Sequence, residues 1–335
     1  MCTPESIKIF CNQTLLPACW KKEASTGPIW CFNPALLRQS DRWLFAYRVV
    51  LGNQQRRIAA CFLDENFEVF DGSQMPLSDA IQFREGHGYP ERAITWFADP
   101  RLYEIGGRVY LYFNSGWHEP RNHQFLVELD RNLCSPLGPA KEIDLVTPHK
   151  ALEKNWMFLA DDLSELVYSP DPHLLARFVG EEDGRLLYTL PDENHISESS
   201  WFRHGHLRGG APPVRLGAFY YSFCHFISTE AAEISYRASV YRFPAVAPYA
   251  RVTEAPRILE FALPSGGERS LPKLNPAVGE VVYPCGAAWF EQAWHVSCGF
   301  NDEHCAILKF SGENIDATFN LVDAWSKPAP HCRGM

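Results

Sequence analysis

No run of eighteen apolar residues occurs in this 335-residue chain, which argues against a membrane-spanning helix. No charged-then-apolar leader opens it either: Met1 to Ser6 is polar, and the apolar stretch that follows is broken by Asn12 and Gln13. Positive charge is scarce. Lys and Arg total 31 against 40 Asp and Glu, a formal charge of −9, so the net basic surface that nucleic-acid binding requires is missing. CxxC pairs are absent as well. The eleven cysteines are odd in number and scattered, and Cys61, Cys224, Cys285 and Cys298 lie in apolar strand-like runs, which reads as buried free thiols in a reducing compartment. These absences predict a soluble cytoplasmic protein with neither a nucleic-acid nor a membrane partner.

What the chain does have is a phrase repeated five times. A small polar or Pro/Gly start leads into an apolar strand, a short turn and a second strand rich in aromatics. The copies are NPALLRQSDRWLFAYR from Asn33, DPRLYEIGGRVYLYFN from Asp99, KNWMFLADDLSELVYS from Lys154, GAPPVRLGAFYYSFCH from Gly210 and PCGAAWFEQAWHVSCG from Pro284. Their starts lie 66, 55, 56 and 74 residues apart, room for about four short strands each. The pattern predicts an all-β, five-bladed β-propeller forming one domain over 1–335. Its repeats fill about 33–310, and the terminal segments, 1–30 and 312–335, are expected to be a blade-closing strand or an edge extension. Helix candidates such as Leu77 to Arg84 are short, and Leu77 to Tyr89, Thr147 to Glu153 and Asp192 to Leu207 read as rim loops.

In that architecture equivalent positions of distant copies meet around one axis. The starts pool Asn33, Asp99, Lys154, Asn155, Arg208, Tyr283 and Cys285, and the returning strands bring Arg48, Asn114 and His225, with His173 and Asp302 a few positions further on. In WFADPRLY the proline after Asp99 disfavours helix and presents the carboxylate at a strand mouth. Lys154, beside Trp156 and Phe158, is expected to be partly desolvated and to want an anion. The run WFRHGHLRGGAPPV sets Arg208 before two glycines, and its HxH pair is too weak a pattern for a metal site, so none is expected. Several cations around one acid suit a phosphate-containing reactant. Cys285 faces the axis too, with nothing local to activate it.

The phrases ADPRL, EKNW, RGGAPPV with YYSFCHF, Tyr236, and VVYPCG with CGFND resemble the motifs of glycoside hydrolase family 130, the inverting β-mannoside phosphorylases, and of a related β-1,2-mannosyltransferase group. The resemblance runs from Asn33 to about Asp302. It implies a mannosyl-transferring enzyme in which Asp99 is the catalytic proton donor. It also implies a phosphate cradle of Arg48, Lys154, Arg208, His225 and Tyr236, with Asn33, Arg101, Asn155, His173, Tyr283 and Asp302 on the sugar. The chain departs from the family in having Ala98 where a Glu commonly precedes DPR.

The implied reaction uses inorganic phosphate as co-substrate and no cofactor, with a mannose-containing oligosaccharide or sugar acceptor and mannose 1-phosphate as the other partners. A homo-oligomer is compatible with it. Phosphate is already a nucleophile, so the second carboxylate of an inverting hydrolase is not needed. The alternatives are an inverting β-mannosidase with Glu153, Glu198 or Asp302 as base, a nucleotide-sugar-dependent mannosyltransferase, and a noncatalytic sugar-binding propeller.

Overall fold

The structure, a computed structural model, describes residues 2–25, 27–116, 121–147, 153–159, 162–191, 206–228, 233–247, 249, 257–259, 261–263 and 270–323. Short β-strands dominate it. After β1 (Ser6–Ile9) come five groups in chain order, each antiparallel within itself. The first is β2 (Trp30–Arg38), β3 (Trp43–Val50) and β4 (Arg56–Leu63). The second is β5 (Phe97–Ile105), β6 (Arg108–Ser115), β7 (Gln124–Leu129) and β8 (Lys141–Leu145). The third is β9 (Met157–Phe158), β10 (Glu165–Pro170), β11 (His173–Glu182) and β12 (Arg185–Thr189).

In the fourth, β13 (His206–Arg208) and β14 (Val214–Leu216) are two pieces of one innermost strand, both paired with β15 (Phe219–Ser228), followed by β16 (Ile234–Pro244) and β17 (Arg257–Ile258). The fifth is β18 (Val278–Phe290), β19 (Ala293–Phe300) and β20 (His304–Ser311). Parallel pairings of β8 with β12 and of β16 with β18 join neighbouring groups. β1 pairs along β20, from Ser6 against Lys309 to Ile9 against Ala306. Of the two forms expected for the C-terminal segment, a blade-closing strand is not the one found: Gly312–Asp323 is a helix.

The middle strands explain why the groups stack. β3 reads WLFAYRVV, and strand alternation sends its side chains to opposite faces. Phe45, Tyr47 and Val49 pack with Phe10, Leu15 and Trp20, while Leu44 and Ala46 pack with Phe97, Leu111 and Phe113 of the second group. Both faces are buried, so an almost continuous apolar run with no polar face is what this position needs. The Ile105-to-Arg108 hairpin closes through Gly106 and Gly107, at φ 58° and 75°, a turn that requires two left-handed residues.

Three innermost segments carry the same backbone irregularity. Asn33, Asp99 and Asn155 are left-handed, at φ 52°, 51° and 66°. In the first two groups the pairing jumps from Phe32–Arg48 to Ala35–Ala46 and from Ala98–Asn114 to Arg101–Tyr112. Two residues therefore face one, and the bulge turns Asn33 or Asp99 out of the pleat. Pro34 and Pro100 sit in these bulges, where a missing N–H costs no ladder hydrogen bond. Asp99 is thus aimed from inside β5, two residues after its start, rather than standing at the strand mouth.

Candidate active site

The bulged residues meet. Asn33 Nδ2 donates to Asp99 Oδ1 at 2.9 Å, and Arg48 Nη1 lies 3.6 Å from the same oxygen. Phe32–Arg48, Ala98–Asn114 and Arg208–His225 are cross-strand partners at matching places in three groups, which puts Arg48, Asn114 and His225 at one end of the molecule. Burial alone would raise the Asp99 pKa. The charges of Arg48 and Lys154, the Asn33 hydrogen bond and the Arg101 charge outweigh it and hold the carboxyl below its usual value. The unliganded site therefore keeps Asp99 ionised.

His225 is buried, its ring 5.0 Å from Tyr236 and 4.7 Å from Tyr283. Burial, then the charges of Lys154, Arg101 and Arg208, bring its pKa down to about 3 against the pull of Asp99. It is a neutral imidazole at any working pH, a hydrogen-bonding group rather than a cation. Tyr236 is pushed up by burial, Asp302 and Asp99 and pulled down by Arg208. Asp302, left-handed at φ 58° in the turn after β19, thereby shares this end of the molecule with Asp99.

Four expected sugar ligands, Arg101, Asn155, Tyr283 and His173, stand elsewhere in role. Arg101 has no exposed surface: Nε donates to the Gly210 carbonyl, and Nη2 donates to Asn155 Oδ1 at 3.3 Å and to Tyr283 Oη at 2.8 Å. Tyr283 in turn donates to Asn155 Oδ1 at 2.7 Å. These bonds tie four groups together beneath Asp99 and leave Arg101, Asn155 and Tyr283 as buried braces. Arg101 is enclosed, so it cannot touch a sugar. His173 is displaced outright. Pro170 pairs with His173 across the β10–β11 turn, so His173 opens the third strand of its group, and its ring packs on Tyr241 and Phe243 at 6.0 and 4.7 Å. Burial there lowers its pKa to about 4.

Lys154 is presented on a segment with no strand of its own. Asn122 Nδ2 donates to the Glu153 carbonyl, Glu153 N donates to Asn122 Oδ1 at 2.6 Å, and Gln124 Nε2 donates to that carbonyl at 2.6 Å. On the other side, a side chain at Gly209 would stand 2.3 Å from the Asn155 carbonyl oxygen, so only glycine fits against this segment. Asn122→Ala should therefore cost about 1–3 kcal/mol in urea unfolding, because the buried Glu153 N–H loses its acceptor. An unchanged midpoint would refute the clamp. Glu153 itself, named as a hydrolytic base, is buried and accepts from Tyr168 Oη at 2.9 Å. Glu198, named for the same role, lies outside the described residues, as do Arg203 and His204. Cys285 is fully buried, which pushes its thiol well up and leaves no reactive thiolate. Among the described residues no group of three His, Cys, Asp or Glu could hold a metal.

Sequence reasoning missed Arg56. It opens β4, stacks its guanidinium 4.9 Å from the Trp96 ring and is close enough to Arg48, Asp99 and Asp302 to feel all three charges. The signal lay only in the β3–β4 register.

The fold has counterparts of known structure, mannoside phosphorylases among them. A structure from glycoside hydrolase family 130, a family of mannoside phosphorylases containing hydrolases that target β-1,2 mannosidic linkages in Candida mannan, matches with TM-score 0.58 and 15% identity over 85% of both chains. A β-1,2-mannobiose phosphorylase from Listeria innocua, complexed with β-1,2-mannobiose, matches with TM-score 0.54 and 13% identity over 94% of this chain and 99% of the other. A mannose phosphorylase from Leishmania mexicana, complexed with phosphate, matches with TM-score 0.51 and 9% identity over 86% of each. No family model and no curated protein matches the sequence. At these identities the phosphorylase likeness is one of fold.

Proposed function

We propose that the five strand groups are the blades of a five-bladed β-propeller and that the chain is an inverting β-mannoside phosphorylase. The observation that carries this reading is a charge imbalance around one largely buried carboxylate. Arg48, Lys154 and Arg101 act on Asp99, Arg56 stands beside Arg48, and Arg208 acts on His225, against the carboxylates Asp99 and Asp302. Cations outnumber carboxylates there, a surplus that suits the binding of a phosphate dianion. In the proposed reaction a phosphate oxygen attacks the anomeric carbon while the glycosidic C–O bond breaks. The leaving oxygen takes the Asp99 proton, directly or through a sugar hydroxyl, giving α-mannose 1-phosphate and the freed sugar. Reversal makes a mannoside. The solved relatives bound to mannobiose and to phosphate support these substrates.

One observation favours a second reading. Asp302 shares Arg56 and Tyr236 with Asp99 as electrostatic neighbours, so it could serve as the base of an inverting hydrolase. Incubation with α-mannose 1-phosphate and a panel of mannose, glucose, N-acetylglucosamine and short mannosides separates the two. Phosphate release that depends on the acceptor is the expected result. Mannoside cleavage at full rate without phosphate would favour hydrolysis, and release only from GDP-mannose would favour a nucleotide-sugar transferase.

A further inference from the structure

Arg48 and Arg56 are like charges set side by side by the sheet. Arg48 pairs with Ile58 and Arg56 with Val50, so the two arginines occupy diagonal positions on one face of β3 and β4. Nothing in strand formation requires a second arginine there, and like charges at such positions oppose folding. Arg48 and then burial lower the Arg56 pKa to about 10, with Asp99 and Asp302 opposing.

The place that Arg56 occupies is nevertheless fitted to it. Its guanidinium stacks on Trp96, and Nη1 reaches the Gly116 carbonyl at 3.5 Å. A Cβ on Gly116 would lie 3.3 Å from Arg56 Cδ and Nη1 and 3.5 Å from the Ala98 Cβ. Residues 98 and 116 are therefore both small where the arginine passes, and position 98 is directly before Asp99. A cation guided through a narrow slot toward another cation, with Asp99 and Asp302 already beside them, is placed where both guanidiniums can meet an incoming anion.

We propose that Arg56 and Arg48 form a paired-guanidinium clamp that binds the phosphate group of the substrate beside Asp99. The clamp rests on the phosphorylase reading above and adds a phosphate ligand to it. Two planar forks can each present parallel N–H donors to phosphate oxygens, and the dianion removes their mutual repulsion.

The test uses the whole chain with inorganic phosphate as the probe, at constant ionic strength set by chloride. In Arg56→Ala the phosphate KM should rise about 10–100-fold, the loss expected for a charge-assisted hydrogen bond. Without phosphate, its melting temperature should equal or exceed the wild type's, and the rise in melting temperature that phosphate produces in the wild type should shrink. Arg56→Gln keeps the stem and hydrogen bonding and serves the same comparison should the alanine variant fold poorly. Arg56→Lys, a charge without a fork, should fall between. An unchanged phosphate KM with a lowered melting temperature would make Arg56 a structural partner of Asp302 and Trp96 and overturn the clamp. If the wild type itself neither turns over phosphate nor is stabilised by it, the phosphorylase reading fails. If the wild type responds and the Arg56 variants respond equally, only the clamp fails.

Discussion

Asp99→Asn should reduce phosphate-dependent turnover about 10²- to 10⁴-fold, the range for loss of a positioned proton donor, while the protein stays folded. Asparagine tolerates the left-handed backbone at φ 51° as aspartate does, and its amide oxygen can still accept from Asn33 and face Arg48. The shape is kept, while the carboxylate charge and with it the transferable proton are lost. Rates of phosphate release from α-mannose 1-phosphate check this, and a loss below tenfold would remove Asp99 from the chemistry. The same substitution has a calorimetric signature. Burial favours a protonated Asp99, but Arg48, Lys154, the Asn33 hydrogen bond and Arg101 keep it ionised when the site is empty of anion. A phosphate dianion among those cations offsets them, so the carboxyl pKa rises and a proton is taken up. Phosphate binding heats should therefore depend on buffer ionisation enthalpy in the wild type, and much less in the asparagine variant.

Arg101→Lys should destabilise the protein by about 3–5 kcal/mol, the largest stability effect expected of a conservative change here. The guanidinium serves three acceptors on three different groups, Gly210, Asn155 and Tyr283, and lies 5.4 Å from the Tyr112 ring. An ammonium cannot reach them all, and the acceptors it leaves are buried. Urea unfolding would show the loss as a lower midpoint. A variant as stable as the wild type would mean that packing alone holds the groups together.

The strand groups were legible because their signals are local: β-branched and aromatic runs, the Gly106-Gly107 turn, and the DP and NP dipeptides that mark the bulges. The pooling of Asn33, Arg48 and Asp99 was legible because three copies have the same spacing between the inner strand and its return. The third copy fails that count. β9 is only two residues long, its partner strand ends at Pro170, and His173 falls on the far side of the turn. Arg101 looked like a ligand because sequence shows a charge and not its enclosure. Arg56 was invisible because its place depends on a register and on small residues at 98 and 116, some 40 and 60 positions away.

The strand formed by Ser6–Ile9 completes its sheet only against Ala306–Lys309. A contact joining such distant parts of the chain is slow to form and late in folding. The outermost row of backbone groups on the fifth group thus stays open until nearly everything else is in place, a window in which a second chain could add its own strand there instead. Those four early residues act as a built-in guard against that mispairing, at the far side of the fifth group from the chemistry.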